Sequence, residues 1–418
     1  MLKMLDISFI RNHFPSFNTK ENQDWIFCEN AGGSYVAKAV MHRAADYLLN
    51  HRVQPYSRYP ASIHAGEWVD LSYELFATAL NAEKDEVIFN ASTSLNTYIL
   101  ANAFRRELIR GDEIIVTNQD HEANSGVWRR LAEENPALTL KEWSVDPETG
   151  ALHLEDLKKL ISERTKLLCF THCSNLLGQV NLVKEAIAWV HEVGGRVVLD
   201  GVAYAPHAWM DVKALDVDFY LISLYKLFGP QLGLLYAKRE HLQNLSVQGH
   251  QFNDAVIRKR LCPAGPQYTE IVSALGVIDY YRAVYRHHFS PLKQEPPLFS
   301  LLTELFDVFV QHEKVLCKKL LHYLSAHPNV RILGPSTVDK GQRFPVISFA
   351  VKGHSSRSIV DHLIQHRIAT NNGHFYASRL LRAMGFSDIA DGVVRISLLH
   401  YNTEQDVDRI IKALELIL

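Results

Sequence analysis

Short apolar runs alternate with helical periodicity between about residues 66 and 240. The spacing of hydrophobic positions predicts helices near residues 95–109, 125–134, 154–161 and 184–193. The runs between them are rich in β-branched and aromatic residues and predict strands at 86–89, 113–117, 167–171, 196–199, 219–223 and 233–236. Apolar strands that alternate with helices are typical of a parallel sheet covered on both faces. The pattern therefore predicts an α/β fold.

The pattern changes near residue 285, after which it predicts a smaller α+β unit. This unit is expected to contain a long helix at about 298–326, a helix near 356–366, an amphipathic helix at 403–418, and strands at 330–333, 344–351 and 393–398. Pro291, Pro296 and Pro297 mark the join between the two parts. A short N-terminal helix cannot bury itself, so it is expected to pack with the C-terminal part. We predict a large domain at residues 31–285 and a small domain made of residues 1–30 and 286–418.

Composition narrows the function without identifying it. The 418 residues include 47% hydrophobic and 22% charged residues with a net charge of −2, so no basic surface suggests a nucleic-acid partner. No apolar run reaches the about 18 residues that a membrane span needs. Five cysteines without paired spacing and an N-terminus without a hydrophobic leader favour a reducing compartment, so a cytoplasmic location is expected. The 21 histidines form no HExxH pattern, and no metal site is expected.

Lys226 is the most informative residue of the chain. It follows the strand-like run 217–223 and precedes Gly229-Pro230, so it lies in a loop at the end of a strand that is predicted to be buried. An amine held away from water has a lowered pKa and can form a Schiff base with a carbonyl group. The alternative is a lysine whose stem covers the core while its ammonium group reaches solvent.

Other predicted strands also end in polar residues, and ligands bind at the carboxyl ends of parallel strands. Ser92, Thr93 and Ser94 open the helix predicted near residue 95, either as a phosphate site or as ordinary N-cap residues. His121 is a candidate general base or stacking surface, although a lone loop histidine is more often neither. Asn175 either donates a hydrogen bond to a ligand or holds a turn.

Asp200 follows the apolar run 197–199, where a carboxylate is costly to bury without a cation. A protonated ring nitrogen would serve as that cation. Pyridoxal phosphate needs this set of groups, namely a lysine for its aldehyde, an acid for its ring nitrogen and a cradle for its phosphate. Lys226, Asp200 and the hydroxyl groups at 92–94 therefore indicate pyridoxal phosphate as the cofactor.

Several motifs resemble the class V branch of the fold-type I aminotransferase superfamily, and within it the cysteine desulfurase and selenocysteine lyase group. The resemblance runs from about residue 25 to the C-terminus, and its motifs are DHEAN at 120–124, SNLLG at 174–178, LDGVAYAPH at 199–207, SLYKLFGP at 223–230, VRIS at 394–397 and YNT at 401–403. It implies a large domain with a mostly parallel seven-stranded sheet covered by helices, a small C-terminal α+β domain and pyridoxal 5'-phosphate as cofactor. It also implies a homodimer with active sites near the subunit interface, in which residues 264–267 reach the cofactor phosphate of the partner subunit.

The same resemblance implies a role for each site residue. Lys226 is expected to form the internal aldimine, which gives the external aldimine with an amino-acid substrate. Lys226 is then expected to move protons at the substrate Cα. His121 is the second residue expected to be catalytic. Asp200 is expected to contact the ring nitrogen, His121 the ring face and Asn175 the phenolic oxygen. The phosphate is expected to be bound by Thr93, Ser94, Ser223 and Tyr225. Arg395 is expected to bind the substrate carboxylate, and Asn30 and His374 are expected to line the substrate pocket.

The chain departs from this group at the loop that carries a nucleophilic cysteine. The corresponding residues 371–377 read NNGHFYA, so Tyr376 stands at the cysteine position and Asn371 at the position of an arginine. A phenol cannot attack a substrate sulfur to form a persulfide, because that step needs a thiolate. Two cofactor positions also differ, since Tyr225 replaces a histidine and Ala203 replaces a glutamine or histidine.

Four hypotheses for the function follow. The first is a lyase acting on cysteine, selenocysteine or a related amino acid, with Cys173 or Cys262 as possible substitutes for the loop thiol, although burial is the expected role of both. The second is an aminotransferase, an epimerase or another enzyme acting at Cα. The third is a non-catalytic protein that binds pyridoxal phosphate, which the joint presence of the site residues disfavours. The fourth is a hydrolase, which is disfavoured because no Gly-x-Ser-x-Gly motif occurs.

Overall fold

A seven-stranded sheet forms the centre of this computed structural model, which describes residues 4–263, 265–291, 294–338 and 342–418. Its strands are β2 (Val87–Asn90), β3 (Glu113–Thr117), β4 (Thr139–Trp143), β5 (Thr165–Thr171), β6 (Arg196–Asp200), β7 (Phe219–Ser223) and β8 (Gly233–Ala237); the short strand β1 (Ile26–Phe27) pairs elsewhere. The order across the sheet is β2-β8-β7-β6-β5-β3-β4. Strand β8 is antiparallel to both of its neighbours, and all other pairings in the sheet are parallel.

The expected seven-stranded, mostly parallel sheet is confirmed, and the six strands predicted from the sequence all occur within one or two residues of their expected bounds. Strand β4 was missed by the residue pattern. It lies at the edge of the sheet, where two of its five residues are exposed, so it lacks a continuous apolar run. The central strands β6 and β7 are almost wholly buried, which is why the residues inside each strand are apolar.

Helices cover the sheet and extend the chain around it. In chain order they are α1 (Ile7–Arg11), α2 (Lys38–Asn50), α3 (Pro60–Ala79), α4 (Thr93–Phe104), α5 (Glu122–Glu134), α6 (Leu154–Leu160), α7 (Val183–Glu192), α8 (Val212–Leu215), α9 (Arg239–Asn244), α10 (Tyr268–Ser273) and α11 (Leu275–Phe289). Two large clusters of buried apolar side chains lie on opposite faces of the sheet, as the alternation of Val197 and Leu199 with Val198 along β6 shows. The sheet is therefore buried on both faces.

The C-terminal part contains a four-stranded antiparallel sheet and confirms the expected small α+β unit. Its elements are α12 (Leu298–Ser325), β9 (Val330–Ile332), β10 (Val346–Val351), α13 (Ser356–Gln365), β11 (Ile368–Ala369), β12 (Asn371–Gly373), α14 (Ser378–Ala383), β13 (Val393–Ser397) and α15 (Glu404–Leu414). The sheet order is β12-β13-β10-β9, while β11 pairs with β1. None of the helices in the described part of the chain has the length and apolarity needed to cross a membrane.

Helix α12 joins the two parts, because its first half packs in the core of the large sheet and its second half packs under the small sheet. The N-terminal residues also contact both parts. Ile10 and Phe14 belong to the core of the large sheet, whereas Ile26 and Cys28 belong to the core of the small sheet. The domain boundaries at residues 30 and 285 stay a prediction.

Candidate active site

A cavity opens at the carboxyl ends of the parallel strands. Pairing of Asp200 with Thr171 and of Ser223 with Gly233 brings the ends of four neighbouring strands to one edge of the sheet. The cavity is lined by all eight residues predicted to bind a cofactor, namely Thr93, Ser94, His121, Asn175, Asp200, Ser223, Tyr225 and Lys226. The sheet topology thus brings together residues as far apart in the chain as Thr93 and Lys226, which are separated by 133 positions.

Lys226 lies at the end of a single 3-10 turn, Leu224–Lys226, that follows β7. Its side chain faces the cavity, yet the residue is only 6% exposed, and its amine makes no hydrogen bond or ion pair with the described residues. Burial, together with the positive charge of Arg395, lowers the pKa of Lys226 to about 8, although the charge of Asp200 acts in the opposite direction. The alternative of a lysine whose ammonium group reaches solvent is therefore wrong.

Asp200 is the last residue of β6 and is 5% exposed. One carboxylate oxygen, Oδ1, accepts a hydrogen bond from the Val202 backbone N–H at 2.9 Å. Burial raises the pKa of the Asp200 carboxyl, while the Val202 N–H and the charge of Lys226 oppose that rise. The second oxygen has no hydrogen-bond partner among the described residues, so the site can receive a cationic or N–H group of a ligand.

His121 is the N-cap of α5, and its Nδ1 accepts a hydrogen bond from the Ala123 backbone N–H at 3.1 Å. Burial, reinforced by the charges of Lys226 and Arg395, lowers the pKa of His121 to about 3, so the ring is neutral near pH 7. Because Nδ1 is an acceptor, the proton of the neutral ring lies on Nε2. The geometry thus favours a flat surface with one N–H donor over a general base.

The N-terminus of α4 lies at the other end of the cavity, with its hydroxyl groups against β7. The Ser92 hydroxyl accepts the Leu95 N–H at 3.1 Å, so the N-cap alternative is correct for Ser92. Thr93 is instead hydrogen bonded to Ser223, with 2.7 Å between their hydroxyl oxygens. Gly233 packs against this helix start, where an added Cβ would lie 2.3 Å from the Ser92 carbonyl carbon. A helix N-terminus with hydroxyl groups favours an anion, and the expected phosphate contact here stays a prediction.

Asn175 connects the cavity to Arg395, which the sequence assigned to the substrate carboxylate. The Asn175 Nδ2 donates to the Phe375 carbonyl at 2.8 Å, and its buried Oδ1 has no partner among the described residues. Arg395 Nη1 donates to the Asn175 carbonyl at 3.2 Å. Arg395 lies on β13 and is not among the described residues that line the cavity, so Asn175 is its link to the site.

Asn30 and His374 are not among the described residues that line the cavity. Asn30 Nδ2 donates to the Ser397 carbonyl at 2.7 Å, and the Tyr401 hydroxyl donates to Asn30 Oδ1. His374 Nδ1 accepts the Tyr376 backbone N–H at 3.0 Å. Both residues therefore support loops next to the cavity, and their contact with a substrate stays a prediction. The expectation for residues 264–267 involves a partner subunit, and Ala264 lies outside the described residues.

Cys173 lines the cavity and is fully buried. Burial raises the pKa of the Cys173 thiol far above its ordinary value, so the group stays protonated and unreactive. Tyr376 occupies the loop over the cavity instead; it is 67% exposed, and its ring centroid lies 5.0 Å from that of His121. No cluster of three or more His, Cys, Asp or Glu side chains suited to a metal ion occurs in the described ranges.

Thr171 and Phe375 were missed by the sequence interpretation. Thr171 lines the cavity as the last residue of β5, so the rule that located Asp200 would also have found it. Phe375 contacts the site through a loop far along the chain, and its sequence carries no local signal of that contact.

The sequence matches the aminotransferase class-V family over residues 26–268 and 304–410. It is 37% identical to the aminotransferase-like protein FGM3 of Gibberella zeae, a match that covers 99% of this chain and 98% of that protein. It is 30% identical to a cysteine desulfurase of Serratia proteamaculans, covering 98% of both chains. The apo structure of a cysteine desulfurase from Thermococcus onnurineus NA1 has the same fold, with a TM-score of 0.85 and 24% identity over 100% of this chain and 99% of that chain. With most of its length matched, this chain belongs to the aminotransferase class-V family.

Proposed function

We propose that this protein is a pyridoxal-phosphate-dependent lyase that releases selenium from selenocysteine, or sulfur from a related amino acid. Its membership in a cysteine desulfurase-like family implies the cofactor. The observation that carries the proposal is the shared cavity, in which a buried lysine with a lowered pKa lies with an acid and an anion cradle. Such a combination of perturbed groups in one cavity is typical of an active site.

The residues of the cavity fit pyridoxal phosphate. The hydroxyl groups at the start of α4 and Ser223 would hold the phosphate, and the free oxygen of Asp200 would accept the ring N–H. The flat ring of His121 would lie on the cofactor ring. One of the two Asn175 N–H groups is used by Phe375, so the other remains for the phenolic oxygen.

When bound, pyridoxal phosphate acts as an electron sink that weakens the bonds at the substrate Cα. The protein must then move protons, and Lys226 is suited to this because a pKa of about 8 lets it both hold and release a proton near neutrality. Asp200 favours a protonated ring nitrogen by its charge. Burial of Lys226 and Asp200 keeps bulk water from competing for these protons.

Selenocysteine is favoured over cysteine because no reactive thiol faces the cavity in the described part of the chain. Selenium leaves more readily than sulfur, so its release depends less on a nucleophile. Cleavage of the Cβ–Se bond gives alanine and elemental selenium, and two electrons from an added dithiol reduce the selenium to selenide. Residue Tyr376 replaces the expected thiol and cannot carry a sulfur atom.

The test uses the purified protein loaded with pyridoxal phosphate, selenocysteine and excess dithiothreitol. Alanine is measured by chromatography and selenide by lead precipitation. We expect equal amounts of both products, a lower rate with cysteine, and no product from Lys226→Ala. If selenocysteine gives no alanine while the cofactor is bound, the proposed lyase reaction is wrong. Conversion of the cofactor to its pyridoxamine form with a panel of amino acids would identify an aminotransferase instead.

We also propose that the protein is a homodimer. Large apolar side chains are exposed on α2, on α3 and in the loop between them, namely Leu48, Leu49, Tyr59 and Ile63. Exposed apolar side chains of this size are typical of an interaction surface. Light scattering during gel filtration is expected to give twice the 47.6 kDa of the chain.

A further inference from the structure

Phe375, Asn175 and Arg395 form a closed set of contacts, here called the Phe375 triangle. The Phe375 ring lies over the guanidinium, with 3.7 Å between the ring centroid and Arg395 Cζ. The Phe375 carbonyl accepts the Asn175 side-chain N–H at 2.8 Å. Arg395 Nη1 closes the set by donating to the Asn175 carbonyl at 3.2 Å. One residue of the loop after β12 thus touches a cavity-lining residue and the proposed carboxylate site at once.

The guanidinium of Arg395 keeps an unused donor in this arrangement. Arg395 is 3% exposed, and its buried Nε makes no hydrogen bond with the described residues. The N–H groups of a guanidinium lie in its plane, whereas the Phe375 ring covers its face. The ring therefore excludes water from one face of the group, and the N–H groups in its plane remain for a carboxylate, which guanidinium binds through two parallel hydrogen bonds.

The backbone at this loop is held in an unfavourable conformation. Phe375 has φ 46° and Tyr376 has φ 62°, the left-handed region that residues with a Cβ rarely adopt. Such a conformation persists only where surrounding contacts impose it, and it occurs most often at functional sites. Here the Glu122 N–H donates to the Tyr376 carbonyl at 2.8 Å, in addition to the Asn175 contact with Phe375. Contacts from the rim of the cavity thus hold the Phe375 ring over Arg395.

We infer that Phe375 is the positioning residue for the substrate α-carboxylate. Its ring fixes the plane of the Arg395 guanidinium, and its carbonyl holds the Asn175 side chain, to whose backbone carbonyl the guanidinium donates, so the carboxylate and cofactor contacts keep one relative position. This inference rests on the proposed function, since it takes an amino acid as the substrate.

The test measures the affinity of the cofactor-loaded protein for propionate, which has the carboxylate and carbon chain of alanine but no amine. Saturation-transfer NMR gives the dissociation constant. Phe375→Ala is expected to weaken binding about tenfold, as for the loss of a desolvated cation–π contact. Phe375→Leu retains an apolar cover without the planar face and is expected to lose about threefold. With selenocysteine, KM is expected to rise for Phe375→Ala by more than kcat falls.

Phe386→Ala is the matched control, because Phe386 also lies beside a guanidinium, that of Arg331, with 4.9 Å between ring centroid and Cζ. Phe386→Ala removes a cation–π contact in the same small α+β unit without touching the cavity. It is expected to leave propionate binding unchanged. If the Phe375→Ala protein does not fold, Phe375→Leu decides the outcome by itself.

Arg395→Ala separates this inference from the proposal that it rests on. If wild type binds no propionate, or if Arg395→Ala binds it as tightly as wild type, the carboxylate site is wrong and the inference falls with it. If Arg395→Ala loses binding while both Phe375 variants retain wild-type affinity, the carboxylate site stands and the role of Phe375 is refuted. Equal losses in Phe375→Leu and Phe386→Ala would also refute it, since they would indicate general destabilisation.

Discussion

The proton affinity of Lys226 is the property of the site that can be tested without any cofactor. With a pKa of about 8, about a tenth of this amine is neutral at pH 7, compared with about 0.03% for a lysine with the ordinary value of 10.5. The neutral amine is the reactive form. At pH 7 the neutral fraction of Lys226 is therefore about 300-fold larger than that of an ordinary lysine, apart from any difference in how easily a reagent reaches the two amines. As pH rises through 8, Lys226 loses its proton and its reactivity reaches a plateau, whereas an exposed lysine is still gaining reactivity.

Competitive acetylation of the cofactor-free protein between pH 6 and 11, read out peptide by peptide by mass spectrometry, measures this titration. The burial of Lys226 slows its acetylation at every pH, but it does not change the pH at which the acetylation rate reaches half of its plateau. Exposed Lys159, whose pKa is raised by its hydrogen bond to Asp156, is an internal control that is expected to keep its proton to a higher pH than Lys226. Arg395→Leu removes a positive charge and should raise the midpoint of Lys226, while Asp200→Asn removes a negative charge and should lower it. A wild-type midpoint near 10.5, or shifts of the same sign in both variants, would refute the reasoning.

Three further substitutions test other parts of the account. Gly233→Ala places a Cβ 2.3 Å from the Ser92 carbonyl carbon, so it is expected to displace the start of α4 and weaken cofactor binding at least tenfold in an absorbance titration; unchanged affinity would contradict the phosphate cradle. Glu313→Leu leaves the buried His207 without the carboxylate that lies 2.7 Å from its Nδ1. The free energy of unfolding, measured in urea, is expected to fall by about 1–3 kcal/mol. A smaller loss would show that water replaces the carboxylate. Tyr376→Cys places a thiol on the exposed loop and is expected to increase sulfide release from cysteine, whereas no increase would show that the missing thiol is not what limits this reaction.

The sequence predicted the central sheet well because its strands are buried on both faces and therefore read as continuous apolar runs. The edge strand Thr139–Trp143 was missed because two of its five residues, Thr139 and Glu142, are polar and exposed. The helix predicted at 95–109 begins at Thr93, two residues before the predicted start, because Ser92 is its N-cap. It ends at Phe104, before the apolar residues Leu108 and Ile109 that extended the predicted helix. Periodicity locates a helix better than it locates the ends of that helix.

The candidate site was predictable where a residue follows a strand and unpredictable where contact depends on distant loops. Asp200 and Lys226 were found because parallel strands end at one edge of the sheet, and chain order alone places them there. Protonation of His121 could not be assigned from sequence, because it depends on the Ala123 N–H and on the burial of the ring. The Phe375 contact joins positions 375 and 395 to position 175, and no local pattern encodes such a separation.

Borohydride reduction tests the central claim most directly, because it fixes pyridoxal phosphate to the lysine that binds its aldehyde. The loaded protein is reduced, digested and analysed by mass spectrometry, with Lys226→Ala treated in parallel. We expect one pyridoxyl group per chain, attached to Lys226, and no labelled peptide from the variant. A label on another lysine, or equal labelling of wild type and Lys226→Ala, would contradict the assignment of Lys226 as the cofactor-binding residue.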